Sequence, residues 1–126
     1  SAYVFLVFRA SDDTLMGGCT LSNVRRGVTQ CCALGYWIGA RFARQGYMSD
    51  AVRALIPFVF GTLGLHRIEA ACLPENQPSR SLLAKAGFHE EGLARKYLLI
   101  NGEWRDHIQF ALLEDEASLK NGARLG

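Results

Sequence analysis

Residues 30–73, QCCALGYWIGARFARQGYMSDAVRALIPFVFGTLGLHRIEAACL, decide the fold, because the hydrophobic period changes twice within them. Gln30–Gly39 is dense in apolar and aromatic side chains and reads as a strand. From Ser49 the apolar residues fall at Val52, Leu55, Ile56, Val59, Phe60 and Leu63, the spacing of one helix face. Ser49 or a neighbour can cap this helix, Asp50 suits its positive end, and Gly64 suits its stop. Pro57 lies inside it, removes one hydrogen bond and predicts a kink. His66–Leu73 is a second strand. It alternates only loosely, as expected of a strand covered on both faces. A strand–helix–strand unit of this kind needs a right-handed crossover and parallel pairing.

On the N-terminal side, Tyr3–Arg9 and Leu15–Asn23 read as a hairpin turned at Ser11–Asp13. Gly17–Gly18 marks a bulge or a close backbone approach. A turn around Arg26–Gly27 leads into the central unit. On the C-terminal side, Asn76–Ser79 starts a short helix with Pro78 in its first turn and Leu82, Leu83 and Ala86 on its buried face; Gly87 ends it. Tyr97–Ile100 and Trp104–Leu112 are strands joined by Asn101–Gly102, a strong hairpin signal. The order is β-β-β-α-β-α-β-β. The expected class is mixed α/β (α+β), with a mostly antiparallel sheet and flanking helices. One domain covers residues 1–113, and 114–126 is a polar tail expected to fray.

The chain has 126 residues, 49% apolar and 21% charged, which suits one globular domain and excludes disorder and coiled coil. A net charge of +2 and a pI near 8.4 are too weak for direct nucleic-acid binding driven by phosphate neutralisation. No apolar run approaches the ~20 residues of a membrane span, and no export leader is visible. Cys19, Cys31, Cys32 and Cys72 form no C-x-x-C pair and read as buried thiols in a reducing cytoplasm. His66, His89 and His107 lack metal-ligand spacing, so no metal is expected.

The segment joining strand to helix, Arg41-Phe42-Ala43-Arg44-Gln45-Gly46-Tyr47-Met48-Ser49, is where chemistry can sit. Backbone N–H groups ahead of a helix form an anion cradle, Gly46 permits close approach, and Arg41 and Arg44 add charge-assisted contacts. An ordinary turn with solvated arginines fits these residues equally well. Neither the P-loop pattern nor the dinucleotide fingerprint is present.

With the next segment the pattern becomes specific. G-Y-W-I-G, the Gly loop opening a helix, L-H-R-I-E-A, N-x-x-S-x-x-L-L-x-K-x-G-F-x-x-E-G and R-x-Y-L-x-I-N-G-x-W-x-D-H follow in order. Together they resemble the RimJ/RimL branch of the GNAT N-acetyltransferases from about Tyr3 to Leu113. The resemblance implies a parallel strand pair that splays apart, with the pantetheine arm of acetyl-coenzyme A in the opening. That arm would pair with backbone around Tyr36, Trp37 and Ile38. The pyrophosphate would rest on Arg41, Arg44, Gln45, Gly46, Tyr47, Met48 and Ser49. Asn76 and Ser79 would lie beside the thiol end. Ala43 and Met48 depart from the family's loop pattern, while Gly46 keeps it.

Acetyl transfer needs a neutral amine, a polarised thioester carbonyl and a proton for the departing thiolate. The resemblance makes Ser79 the candidate acid, although a first-turn serine often only satisfies backbone donors, and Asn76 could simply cap. Tyr97 is a second acid candidate, or a packed strand tyrosine. Glu69 is a candidate base, or salt-bridged. Asp106 could instead brace the last hairpin. The implied acceptor is the N-terminal alanine of a ribosomal protein. A small amine such as an aminoglycoside or polyamine, and a non-catalytic coenzyme A-binding module, are the alternatives. Family members usually begin with a strand and two helices before the first hairpin, and this chain starts at the hairpin. The expectation is a C-terminal portion of the fold that self-associates through uncovered sheet, with no membrane partner.

Overall fold

A computed structural model describes residues 2–117. Its backbone is a six-stranded sheet in the order β1-β2-β3-β4-β6-β5. The strands are β1 (Tyr3–Phe8), β2 (Leu15–Arg25), β3 (Cys31–Ile38), β4 (Arg67–Cys72), β5 (His89–Ile100) and β6 (Glu103–Leu113). Helix α1 (Tyr47–Pro57) crosses from β3 to β4, and α2 (Gln77–Lys85) follows β4. Every neighbouring pair is antiparallel except β3–β4, which is parallel, as the crossover requires. No helix among the described residues is long and apolar enough to cross a membrane.

One face of the sheet carries the core. Cys19, Leu21, Cys32, Leu34, Ile68, Ala70, Ile108, Phe110 and Leu112 meet Val52, Leu55, Ile56 and Val59 from the α1 side and Leu83 from α2. Burying each large aliphatic side chain there contributes roughly 1.5–3 kcal/mol. The strand period sends the alternate residues to the other face, where Val4, Leu6, Phe8 and Trp37 are each more than half exposed. β4 alternates cleanly, with Ile68, Ala70 and Cys72 buried and Arg67, Glu69 and Ala71 half-buried. The expectation of cover on both faces is therefore corrected, since among the described residues the helices pack on one side of the sheet.

Turn chemistry follows the sequence. Asn101 and Gly102 sit at φ +51° and +78°, the left-handed pair that a two-residue hairpin demands. A Cβ at Gly18 would come within 2.8 Å of the Trp37 indole nitrogen, and one at Gly17 would collide with the Trp37 carbonyl oxygen. The Gly17–Gly18 pair thus serves a close approach of β2 to β3.

Four local expectations change. α1 begins at Tyr47 with Gly46, not Ser49, as its N-cap. Pro57 is the last α-helical residue, so the α-helix stops short of Leu63 and the chain continues as a π turn over Phe58–Thr62. β5 starts at His89 rather than Tyr97. Its first half is charged and exposed, so apolar alternation cannot reveal it, and its register shifts twice against β6. Charge and bulges are common devices on an outer strand. In the polar tail, residues 114–117 form a helical turn and Ala117 joins the core; the remainder, 118–126, lies outside the described residues.

Candidate functional site

The parallel pair is short. Cys31, Cys32 and Ala33 face Arg67, Ile68 and Glu69, and no pairing follows. Beyond Ala33, β3 continues against β2 as far as Ile38, while β4 continues against β6 as far as Cys72. Each strand follows its own antiparallel neighbour, so the two diverge into a wedge. Among the described residues, no strand lies beside the inner edge of β3 from Leu34 to Ile38.

A line of charges holds the closed end. Arg25 on β2 donates to Glu69 at 3.0 Å, Arg67 donates to the other Glu69 oxygen at 2.9 Å, and Arg67 also pairs with Glu91 at 2.6 Å. Burial pushes the Glu69 carboxyl up, but the bonds and charges of Arg67 and Arg25 outweigh it and hold it below the usual range. Both oxygens are occupied, so the reading of Glu69 as a base facing the cleft gives way to its salt-bridged alternative. The pairing of Arg25 and Arg67 through Glu69 lies beyond the reach of local pattern. Its only trace in sequence is the two-residue spacing of Arg67 and Glu69 on one strand face.

At the open end, β3 leads through a 3-10 turn, Ala40–Phe42, to α1. Arg44 and Gly46 both sit at positive φ, +62° and +85°. No side chain caps α1, so its first backbone N–H groups have no capping acceptor. Directly behind them Ser49 is 95% buried, and its hydroxyl has no partner. An anion at this terminus would satisfy the uncapped backbone N–H groups. The space where a Gly46 Cβ would stand is open.

The remaining loop residues divide. Gln45 donates to the Arg41 carbonyl at 2.9 Å, Arg41 lies over the Phe42 ring at 4.9 Å, and Tyr47 packs edge-on to Phe42. Arg41, Arg44 and Gln45 are exposed. Met48 points into the core, with its sulfur 3.5 Å from the Cys19 thiol, so only its backbone can face a ligand. Trp37 turns its ring to the far face, and Ile38 packs on the core side.

Across the wedge stands α2. Asn76 caps it, its carboxamide oxygen accepting from the Ser79 N–H at 3.2 Å. Ser79 is therefore not the cap. Its hydroxyl instead bonds the Tyr36 phenol, reaching over from β3. Tyr97 is not brought here. It lies on the outer strand β5, stacked edge-on to His107 at 5.8 Å. Asp106 accepts from the Lys96 N–H at 2.8 Å and so braces the β5 bulge. All four cysteines are buried, and burial pushes the Cys32 thiol up to about 11, too high for a ready nucleophile.

A wedge in a mixed sheet opening toward an uncapped helix start is the arrangement the sequence motifs implied, and the family model for the acetyltransferase (GNAT) domain matches residues 1–89. The chain belongs to the GNAT family. Among its relatives is the Escherichia coli [ribosomal protein uS5]-alanine N-acetyltransferase, 43% identical over 89% of this chain. A solved ribosomal-protein-S5-alanine acetyltransferase from Vibrio fischeri superposes with a TM-score of 0.85 at 37% identity over 90% of the chain. Mycobacterium smegmatis RimJ in complex with CoA-disulfide does so with a TM-score of 0.80 at 36% identity over 88%. The chain spans 58%, 62% and 56% of those three proteins, respectively.

Proposed function

We propose that this chain carries the acetyl-coenzyme A half of an N-acetyltransferase whose acceptor is the N-terminal alanine of a ribosomal protein. The observation that carries the reading is the wedge. Among the described residues, the main-chain groups along one strand edge have no strand beside them, and that strand leads to an uncapped helix start. An elongated ligand ending in a diphosphate fits both features. The names of the Escherichia coli and Vibrio fischeri relatives support the acceptor. The coenzyme A disulfide held by the Mycobacterium smegmatis protein supports the cofactor. An acceptor on the ribosome places the reaction in the cytoplasm.

Bound acetyl-coenzyme A would supply the acetyl thioester. The chain's own part is threefold. The α1 terminus, through backbone N–H groups from Gly46 to Ser49, binds the diphosphate, with Arg41 and Arg44 adding charge at the rim. Backbone N–H near Trp37–Ile38 would meet the thioester carbonyl and stabilise the charge that develops there. Ser79 Oγ gives its proton to the departing sulfur. A terminal α-amino group has a pKa of ~7.7–8.0, so much of it is already neutral at physiological pH, and water suffices to take its proton. Glu69, clamped by two arginines, is not needed.

Calorimetric titration with acetyl-coenzyme A tests binding, and mass spectrometry of an alanine-initiated peptide after incubation tests transfer. A saturable heat and an acetyl mass increment on the peptide are the expected results. Acetylation of spermidine with none on the peptide would overturn the acceptor and keep the transfer. No binding would leave only a scaffold.

A further inference from the structure

We propose that the Tyr36 phenol is a positioning group for the Ser79 hydroxyl, holding its hydrogen toward sulfur; this rests on the acyl-transfer reading above. Two observations carry it. First, Tyr36 Oη and Ser79 Oγ are in direct hydrogen-bond contact although 43 residues separate them, and the contact joins β3 to α2. Second, the Ser79 hydroxyl does not cap its own helix. Asn76 makes the cap, and the Ser79 backbone N–H is already engaged.

Only one of two hydroxyls can donate in a single bond between them. A phenol is the stronger acid and hence the better donor, with an ordinary pKa of about 10 against a far weaker aliphatic alcohol. Burial pushes the Tyr36 phenol higher still, so it keeps its proton through the neutral range. Tyr36 therefore donates and Ser79 Oγ accepts. The Ser79 hydrogen is then not spent on the phenol and would be available to the departing sulfur. Polarising the Ser79 oxygen from behind also makes it a better donor, because linked hydrogen bonds strengthen one another. Two links thus fix one serine: Asn76 holds its backbone and Tyr36 holds its side chain.

The test is kinetic. Thiol release from acetyl-coenzyme A is followed with an alanine-initiated peptide, and with spermidine, for the wild-type chain, Tyr36→Phe, Ser79→Ala and the double variant. Tyr36→Phe keeps the ring and removes only the donor. We expect kcat to fall about tenfold with KM for acetyl-coenzyme A and its calorimetric Kd within about twofold of wild type. The double variant should be no slower than Ser79→Ala alone, because the phenol acts only through the serine. Wild-type kcat in Tyr36→Phe, or a full tenfold loss added on top of Ser79→Ala, would overturn the inference while leaving acyl transfer intact. A rise in KM with unchanged kcat would make Tyr36 a binding residue and overturn it as well. A wild-type chain with no turnover on either acceptor overturns the transfer reading and this inference together.

Discussion

Gly46 holds the backbone at φ +85° and stands where α1 presents its free N–H groups, so one residue answers for both turn and cradle. A Gly46→Asp variant places a negative charge at the anion site and an L side chain in a left-handed conformation. Calorimetry should find acetyl-coenzyme A affinity lowered by more than tenfold, and folding stability should fall by about 1–2 kcal/mol from the strain alone. Wild-type affinity would remove the loop from the site. Ser79 shows the limit of reading one residue at a time. Its place in a first turn suggests a cap, yet Asn76 does that work and the hydroxyl turns to Tyr36. Ser79→Ala should lower kcat about a hundredfold, near the low end for loss of a general acid, with KM within a few-fold. Equal losses in affinity and turnover would assign it to binding. Gly46 was legible in the sequence as a position between strand and helix where the backbone needs positive φ or close approach, although its use as a cradle was one of two readings. The partner of Ser79 was not, since no local pattern links residues 36 and 79.

Strands β3 and β4 are held together over three residue pairs and then released, and the Arg25–Glu69–Arg67 line sits at the point of release. The clamp has a pH signature. The folded-state pKa of Glu69 lies below the ordinary value of 4.5. Its stabilising contribution is therefore fully present above about pH 4.5 and is lost as pH falls through the lower folded-state value. Glu69→Gln should unfold at lower temperature than wild type at pH 7, by the equivalent of about 1 kcal/mol, given the partial exposure of all three side chains. Thermal melts between pH 7 and pH 3 should find that gap closing toward the acid end. A gap that stays constant with pH would mean that the pair does not carry the effect. The elements themselves differ in how far sequence foretells them. α1 announces itself by period, and the last turn by Asn101–Gly102. The first half of β5 is silent because it buries little on either face.

Among the described residues, no helix covers one sheet face and β1 is an outer strand, with Val4, Leu6 and Phe8 exposed along it. An apolar outer strand with free backbone groups invites pairing. Sedimentation should find an apparent mass that rises with concentration, and Leu6→Lys should lower it toward the monomer; a wild-type chain that stays monomeric throughout would refute this. The sequence by itself determined the order of elements, the crossover and hence the parallel pair, the glycines that the turns require, and the family motifs. Those are local or periodic properties, written in side-chain chemistry within a few residues. Tertiary structure decided the rest: where β3 leaves β4, that both oxygens of Glu69 are taken by arginines, that Met48 turns inward, and that Tyr36 meets Ser79. These depend on which strand each strand prefers to follow and on side chains tens of residues apart, and no period or spacing along the chain encodes such a meeting.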